Sequence, residues 1–428
     1  VSSSRRAAIG AIGARAVSIL ASFALTFVVA RVLAVDDAGT FFLVFTSIAV
    51  VATFGRFGTD NLALKVVGAA DSNVRTDVRR LLAIAVCASL IGVALGVALT
   101  GVVGIDLPGP VGVALLVASA ILPQALAVLA GALLRARGRL ILGTFAELGS
   151  MPALTTVAIG VVVVVVGGAT LERALLCLVV GSWLTAVWSV VAAAFALRGV
   201  VPEKHVPRAR LGEFLSRYVR QLVAMMGTSL IFYVITWIPI YVLSAVGEIE
   251  AVSYYTAAAR LAGFIGLIPA IQVSYLAPTF ARLHQQSDVT ALNRLAGRSA
   301  LTALALAAGP ALVLAALSGP ILRLLYGAPY DDGWYVLSLL TLGVIFSVAA
   351  GQVNQLMLLC DLEQVALWLN VGLLVAWIAI GIVAAQQYGL LGVAVVSVAL
   401  TVVYQLVAVV ALRRSASIRS YARLARNS

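Results

Sequence analysis

Histidine and cysteine are nearly absent from this chain and acid is scarce: 2 His, 3 Cys and 17 Asp plus Glu are spread over 428 residues. Cys87, Cys177 and Cys360 lie alone in separate apolar runs, which excludes a disulfide framework and a thiolate metal cluster. His205 and His284 both sit in short polar loops, so neither a metal nor another cofactor is expected. Long polar loops are missing as well. A membrane enzyme working at the outer surface needs a substantial outer loop carrying acid, base or histidine groups, and none is present, so the chain does not read as an enzyme.

Apolar sequence fills the space. Hydrophobic residues make up 62% of the chain, charged residues 11%, and the mean hydropathy is +1.10, which defines a polytopic membrane protein. A net charge of +12 is also compatible with nucleic acid, but basic residues in such a chain are explained by membrane topology, and nucleic acid is not an expected partner. The first apolar run extends well beyond a signal-peptide core and contains Arg15, so it reads as a retained helix.

Runs of about twenty or more apolar residues predict about twelve spans, at 7–34, 38–60, 81–104, 111–134, 141–166, 172–197, 221–245, 251–278, 299–325, 334–359, 364–385 and 389–412. The N-terminus, "DSNVRTDVRR", "RARGR", the 199–220 segment, "ARLHQQSDVTALNRLAGR" and the tail fall on one side, which is strongly basic. The other side holds "VDDAG", "GIDLPGP", "GGATLER", "GEIEA", "YGAPYDDG" and "AQQYG", where Arg173 is the only clear cation. Both termini are therefore cytoplasmic, and only "CDLEQ" runs against the rule. The fold class is an all-α membrane protein with two six-helix bundles, at 1–198 and 221–412. A cytoplasmic connecting segment (199–220) joins them, and a basic cytoplasmic tail (413–428) faces membrane lipids. A weak internal match of "VLAVDDAGTFFL" to "VGEIEAVSYYT" supports halves related by an axis along the membrane normal, a common transporter plan.

Charges inside spans are candidates for function, because a central Arg costs about 2.5–3.5 kcal/mol on insertion scales. Arg15 lies about nine residues into the first span and Arg260 about as far into the eighth from the other side, each roughly 13 Å deep. Ser18, Ser22 and Thr26 extend a polar stripe from Arg15, and Ser253, Thr256 and Gly263 do so around Arg260. Tyr233, Trp237 and Tyr241 form an i, i+4, i+8 ladder, and Gln124 and Gln352 are further polar groups in apolar surroundings. Together these residues would line a hydrated cavity. Two plainer readings stand beside it: Glu147 at similar depth as an ion-pair partner of Arg260 or Arg15, and Arg56 either paired with Asp60 at i+4 or snorkelling. Several guanidiniums in one cavity favour an anionic, phosphorylated ligand over a hydrophobic cation.

The stretches "VVARVLAVDDAGTFFLVFTSIAVVATFGRFG", "GEIEAVSYYTAAARLAGFIGLIPAIQVSYLAPTFARL" and "LLYGAPYDDGWYVLSLLTLGVIFSVAAGQVNQLML" resemble the Wzx-type oligosaccharide flippases of the polysaccharide transporter family, in the multidrug/oligosaccharidyl-lipid/polysaccharide exporter superfamily. The resemblance implies a multi-pass protein of the bacterial cytoplasmic membrane that moves undecaprenyl-diphosphate-linked oligosaccharide outward for surface polysaccharide biosynthesis. Glycosyltransferases and a polysaccharide polymerase of the same pathway are the implied partners. Arg15, Arg56 and Arg260 would capture the diphosphate, with Tyr233, Trp237, Gln124 and Gln352 accommodating the glycan. If ions drive the cycle, Glu147 is the coupling carboxylate. The chain is also similar to lipid II flippases in having basic residues on spans one, two and eight. Those relatives typically carry two further C-terminal helices, which makes a peptidoglycan precursor the weaker expectation. Multidrug antiporters of the superfamily depend on intramembrane acids, whereas the first span here has Arg15 and no carboxylate before Asp36.

Overall fold

The computed structural model describes residues 2–68, 74–102, 116–198, 211–286, 288–359, 362–416, 418 and 420–422. The expectations placed on Cys360, His205, residues 199–210 of the connecting segment and the tail beyond 422 lie outside the described residues. Helix is the only regular structure among the described residues. Among the described residues, eight helices are long and apolar enough to cross a membrane, or ten when two bent pairs each count as one span. The run Gln364–Ser415 is two helices meeting at Gly389, and the helix over Val74–Val102 adds another apolar run, which makes about twelve.

The chain divides into two compact units, Val1–Val234 and Ile235–Ser428. The first contains α1 (Ser2–Val32), α2 (Val35–Gly55), α3 (Thr59–Gly68), α4 (Val74–Val102), α5 (Ile121–Ala136), α6 (Leu140–Leu148), α7 (Ser150–Val166), α8 (Leu171–Leu197) and the larger part of α9 (Leu211–Ala245). Its core gathers Leu62, Leu81, Leu129, Leu134 and Leu222, all fully buried. The second unit holds the end of α9, then α10 (Ile249–Ile265), α11 (Leu267–Gln285), α12 (Val289–Ala316), α13 (Ser318–Tyr326), a 3-10 turn (Ala328–Gly333), α14 (Trp334–Ala350), α15 (Val353–Leu359), α16 (Glu363–Ala376) and α17 (Ile382–Ala416), with a π turn at Trp377–Gly381. Phe280, Leu292, Met357, Ala408 and Leu412 form one of its cores.

Local signals explain most helix ends. Asp36 and Asp37 occupy the first turn of α2, where carboxylates oppose the positive end of the helix dipole. Thr170 Oγ1 caps α8 by accepting from the Arg173 amide, and Asp288 Oδ1 accepts from Ala291 N at 2.8 Å to cap α12. Gly167, at φ 78°, closes α7 in the left-handed conformation that glycine adopts without strain. Large apolar side chains such as Val164, Leu324 and Trp368 stay exposed, as expected of a surface that hydrocarbon covers.

Several expected spans prove to be broken helices. The second span is α2, which ends at Gly55 and is followed by the short α3 after a turn at Arg56–Gly58, while the fifth divides into α6 and α7, which meet at 58° around Gly149. In the other unit the eighth bends by 44° at Gly266, the tenth breaks at Gly351, and the eleventh carries the π turn. The first and second halves of the chain are thus both irregular in the fifth span of each half, the fifth and the eleventh. Interrupted spans at matching positions are the backbone signature that marks ligand sites in repeat-built transporters.

The tail departs from a purely lipid-facing reading. Ile418 and Ser420 are each 1% exposed, Ile418 joins the core of Phe280 and Leu412, and the Ala422 amide donates to Ala349 O at 2.9 Å. A Cβ on Gly351 would overlap the Ser420 carbonyl, so the break in the tenth span is where the tail seats.

Candidate functional site

In the first unit, the break in the second span builds a charged site. Phe57 is the only non-glycine residue with positive φ (48°) among the described residues, and Gly58 follows at 71°. Two consecutive left-handed residues interrupt the helix, so Arg56 closes α2 and Asp60 lies in the first turn of α3. Arg56 Nη1 donates to Asp60 Oδ2 at 2.9 Å, Arg56 Nη2 donates to Thr53 Oγ1 at 3.0 Å, and the guanidinium carbon lies 5.4 Å from the Tyr233 ring centroid. Arg56 is 4% and Asp60 5% exposed, so the pair forms as expected but is buried, and Arg56 does not snorkel. One carboxylate oxygen, Asp60 Oδ1, is buried with no hydrogen-bond partner.

A second ion pair lies near the other break. Arg135, in the last turn of α5, donates to Glu147, two residues before Gly149. Glycines set this contact: a Cβ on Gly131 would lie 2.7 Å from Gly143 O, so α5 and α6 touch backbone to backbone. The Glu147 partner is therefore Arg135, not Arg260 or Arg15. Sequence reading counted Arg135 among the cytoplasmic loop cations; its place in the helix, four residues after Gly131 on the same face, was the available signal. Glu147 is also within electrostatic reach of Arg56 and Asp60, so the four residues form one charge cluster.

Arg15 lies exposed on α1. The stripe that was to continue from it does not line an open surface: Ser18 and Thr26 are buried, and Ser18, Ser22 and Thr26 donate to Ala14, Ser18 and Ser22 carbonyls at 2.8, 3.1 and 3.1 Å. Ser18 packs against Gly149, where a Cβ would come within 2.6 Å of its hydroxyl. Gln124, in the first turn of α5, has a buried Oε1 without a partner.

In the second unit, Arg260 sits on α10 with its guanidinium carbon 5.3 Å from the Trp237 ring centroid. Its Nε is buried without a hydrogen bond, and no carboxylate pairs with it among the described residues. Tyr326 is its electrostatic neighbour and stacks at 5.5 Å on Tyr330, whose hydroxyl is 2.6 Å from Ser253 Oγ. These tyrosines, from the outer loop and the end of α13, were missed because they fall between spans. Gln352 follows the break at Gly351 and is 8% exposed, with both amide atoms unbonded. Nearby in sequence, Tyr404 OH donates to Asn354 Oδ1 at 2.9 Å, and Gln405 Nε2 donates to Ser347 Oγ at 2.7 Å.

An all-helical chain of about twelve spans in this order has the fold of MOP-superfamily transporters. No family model matches the chain, and no curated protein matches it in sequence. Among solved structures it is similar to the lipid II flippase MurJ in an inward closed conformation, with a TM-score of 0.69 and 13% identity, covering 95% of this chain and 87% of that one. It is also similar to an inward-facing multidrug resistance MATE family transporter, at 0.67 and 17%, covering 95% and 97%. A point mutant of the Vibrio cholerae MATE transporter VcmN aligns at 0.61 and 15%, covering 97% and 99%. These neighbours are flippases and transporters, and the likeness is one of fold.

Proposed function

We propose that this chain is a flippase that exports undecaprenyl-diphosphate-linked oligosaccharide across the bacterial cytoplasmic membrane by alternating access, for surface polysaccharide biosynthesis. The observation that carries the reading is Arg260: a guanidinium within a span, stacked on Trp237, with no acidic partner among the described residues. An intramembrane cation left without a counter-ion in the protein is matched to an anion that arrives with the ligand. Arg15, exposed on α1, is a second such cation, and the guanidinium fork matches the oxygens of a diphosphate. Tyr233, Trp237, Gln124 and Gln352 supply aromatic faces and amides for sugar hydroxyls, while the prenyl tail remains in lipid. Two units, each with its own core, fit rocking of one bundle against the other.

The likeness to a lipid II flippase favours a second reading within the same chemistry, since a peptidoglycan precursor also carries a prenyl diphosphate. Both readings use the arginines in the same way and differ only in the glycan. Arg15→Ala and Arg260→Ala are expected to reach the membrane at normal levels and to abolish outward exposure of the lipid-linked glycan, scored in spheroplasts with a lectin or an externally added hydrolase. Normal exposure in both variants would overturn the diphosphate reading.

A further inference from the structure

The charge cluster of the first unit has a property that the capture of a headgroup does not use. Arg56 is already saturated, with Asp60, Thr53 and the Tyr233 ring around its guanidinium, and so is not open to a ligand in this state. Asp60 is only half satisfied: Oδ2 takes the Arg56 bond and Oδ1, buried, takes none. For Arg56 to turn to a diphosphate, Asp60 must be left buried without its cation or must become neutral. Burial disfavours the first, since a lone carboxylate in a dry interior is the costlier species.

We propose that Asp60 is a proton-binding site whose occupancy is coupled to that of the anionic headgroup: a proton taken from cytoplasmic water onto the Asp60 carboxylate releases the Arg56 guanidinium to the ligand, which replaces Asp60 on Arg56. The carboxylate gains one O–H bond, Arg56 keeps its charge, and the headgroup oxygens take the place of Asp60 Oδ2. When the ligand leaves, Arg56 pairs again and the proton is lost. The inference rests on the reading of the arginines as the diphosphate site.

The surroundings fit such an exchange. From the elements packed on α3, the charged groups are Arg56 at the end of α2, Arg135 on α5, Glu147 on α6 and the Asp77–Arg80 pair on α4, with Arg217 of α9 near Asp77 and Lys65 on α3 itself. Burial pushes the Asp77 carboxyl up, against the pull of Arg80. Glu147 keeps its own arginine when Arg56 departs, so Asp60 is the carboxylate that loses its partner. The site also lies where the backbone can yield, between two left-handed residues at the break and a cluster that spans the breaks of the second and fifth spans.

The test uses the purified full chain in nanodiscs with farnesyl diphosphate as the probe. Wild type is expected to take up close to one proton per probe bound at pH 7.5 in weak buffer, and its affinity is expected to fall about tenfold per pH unit above neutrality. The probe's own last ionisation acts in the opposite sense, so the sign is diagnostic. Asp60→Asn should bind without proton uptake, and Glu147→Gln should keep the uptake. Binding by wild type with no uptake, or uptake unchanged in Asp60→Asn, overturns the exchange while leaving the arginine site standing. Failure of wild type to bind the probe, or binding unaffected by Arg260→Ala, overturns both. The wild-type titration decides the matter even where a variant fails to fold.

Discussion

Arg56 and Asp60 show how burial changes what a single residue is worth. An exposed i, i+4 pair contributes roughly 0.3–0.5 kcal/mol, but this one is 4% and 5% exposed, where removing one partner costs roughly 3–5 kcal/mol. Losing Arg56 leaves a buried carboxylate without its cation, so neutralising Asp60 is the expected answer. Arg56→Ala alone is therefore expected to lower the melting temperature of the detergent-purified protein clearly, and Asp60→Asn in the same chain to restore most of the loss. A double variant no more stable than Arg56→Ala would show that the carboxylate is already neutral or solvated. Arg260 has no such partner among the described residues, and the same residue type stands in two opposite situations. In one the charge is answered by a carboxylate four residues away, and in the other no described carboxylate answers it.

At the scale of elements, the breaks were not legible in hydropathy, because an apolar run reads the same whether its helix is continuous or interrupted. What the sequence does carry is glycine, and its meaning depends on what lies opposite. Gly58 has φ 71°, and a Cβ there would stand 2.6 Å from Leu222 O; at Gly149 a Cβ would meet Ser18 at 2.6 Å through its hydroxyl and at 2.8 Å through its Cα. Gly160, in the next turns of α7, faces nothing within 4 Å. Gly58→Ala is expected to cost at least the roughly 1–2 kcal/mol of a left-handed residue plus the clash, and Gly149→Ala to separate α1 from the fifth span. Gly160→Ala should be neutral or stabilising by up to about 1 kcal/mol, since alanine favours an open helix. Thermal unfolding of the three variants checks the order. Equal losses in all three would mean that helix propensity, not the break and the close approach, governs these sites. The span count was readable because a run of about twenty apolar residues is long enough to mark a crossing helix. The pairing of Glu147 with Arg135 was not, because it depends on two glycines meeting across helices.

For the whole molecule, the fold is shared with a lipid II flippase and with a multidrug resistance transporter at 13–17% identity, so the architecture by itself does not fix the ligand, and the sign and partnering of intramembrane charge are where the choice is to be sought. Here the buried Asp60 and the half-buried Glu147 of the first unit are each bound to an arginine, while Arg15 and Arg260 keep no carboxylate among the described residues. In the first unit a hydrophobic cation would need an acid to leave its arginine, and near Arg260 it would meet an uncompensated guanidinium, each at a cost in low dielectric. An anion meets the reverse situation. Expression of the chain in a drug-sensitive host is accordingly expected to leave ethidium accumulation unchanged, in wild type and in Arg260→Ala alike. Efflux that is active in wild type and survives Arg260→Ala would assign the molecule to the cation exporters. It would also require Asp60 or Glu147 to be freed from its arginine during the cycle, which the Asp60→Asn and Glu147→Gln variants would reveal as a loss of that efflux.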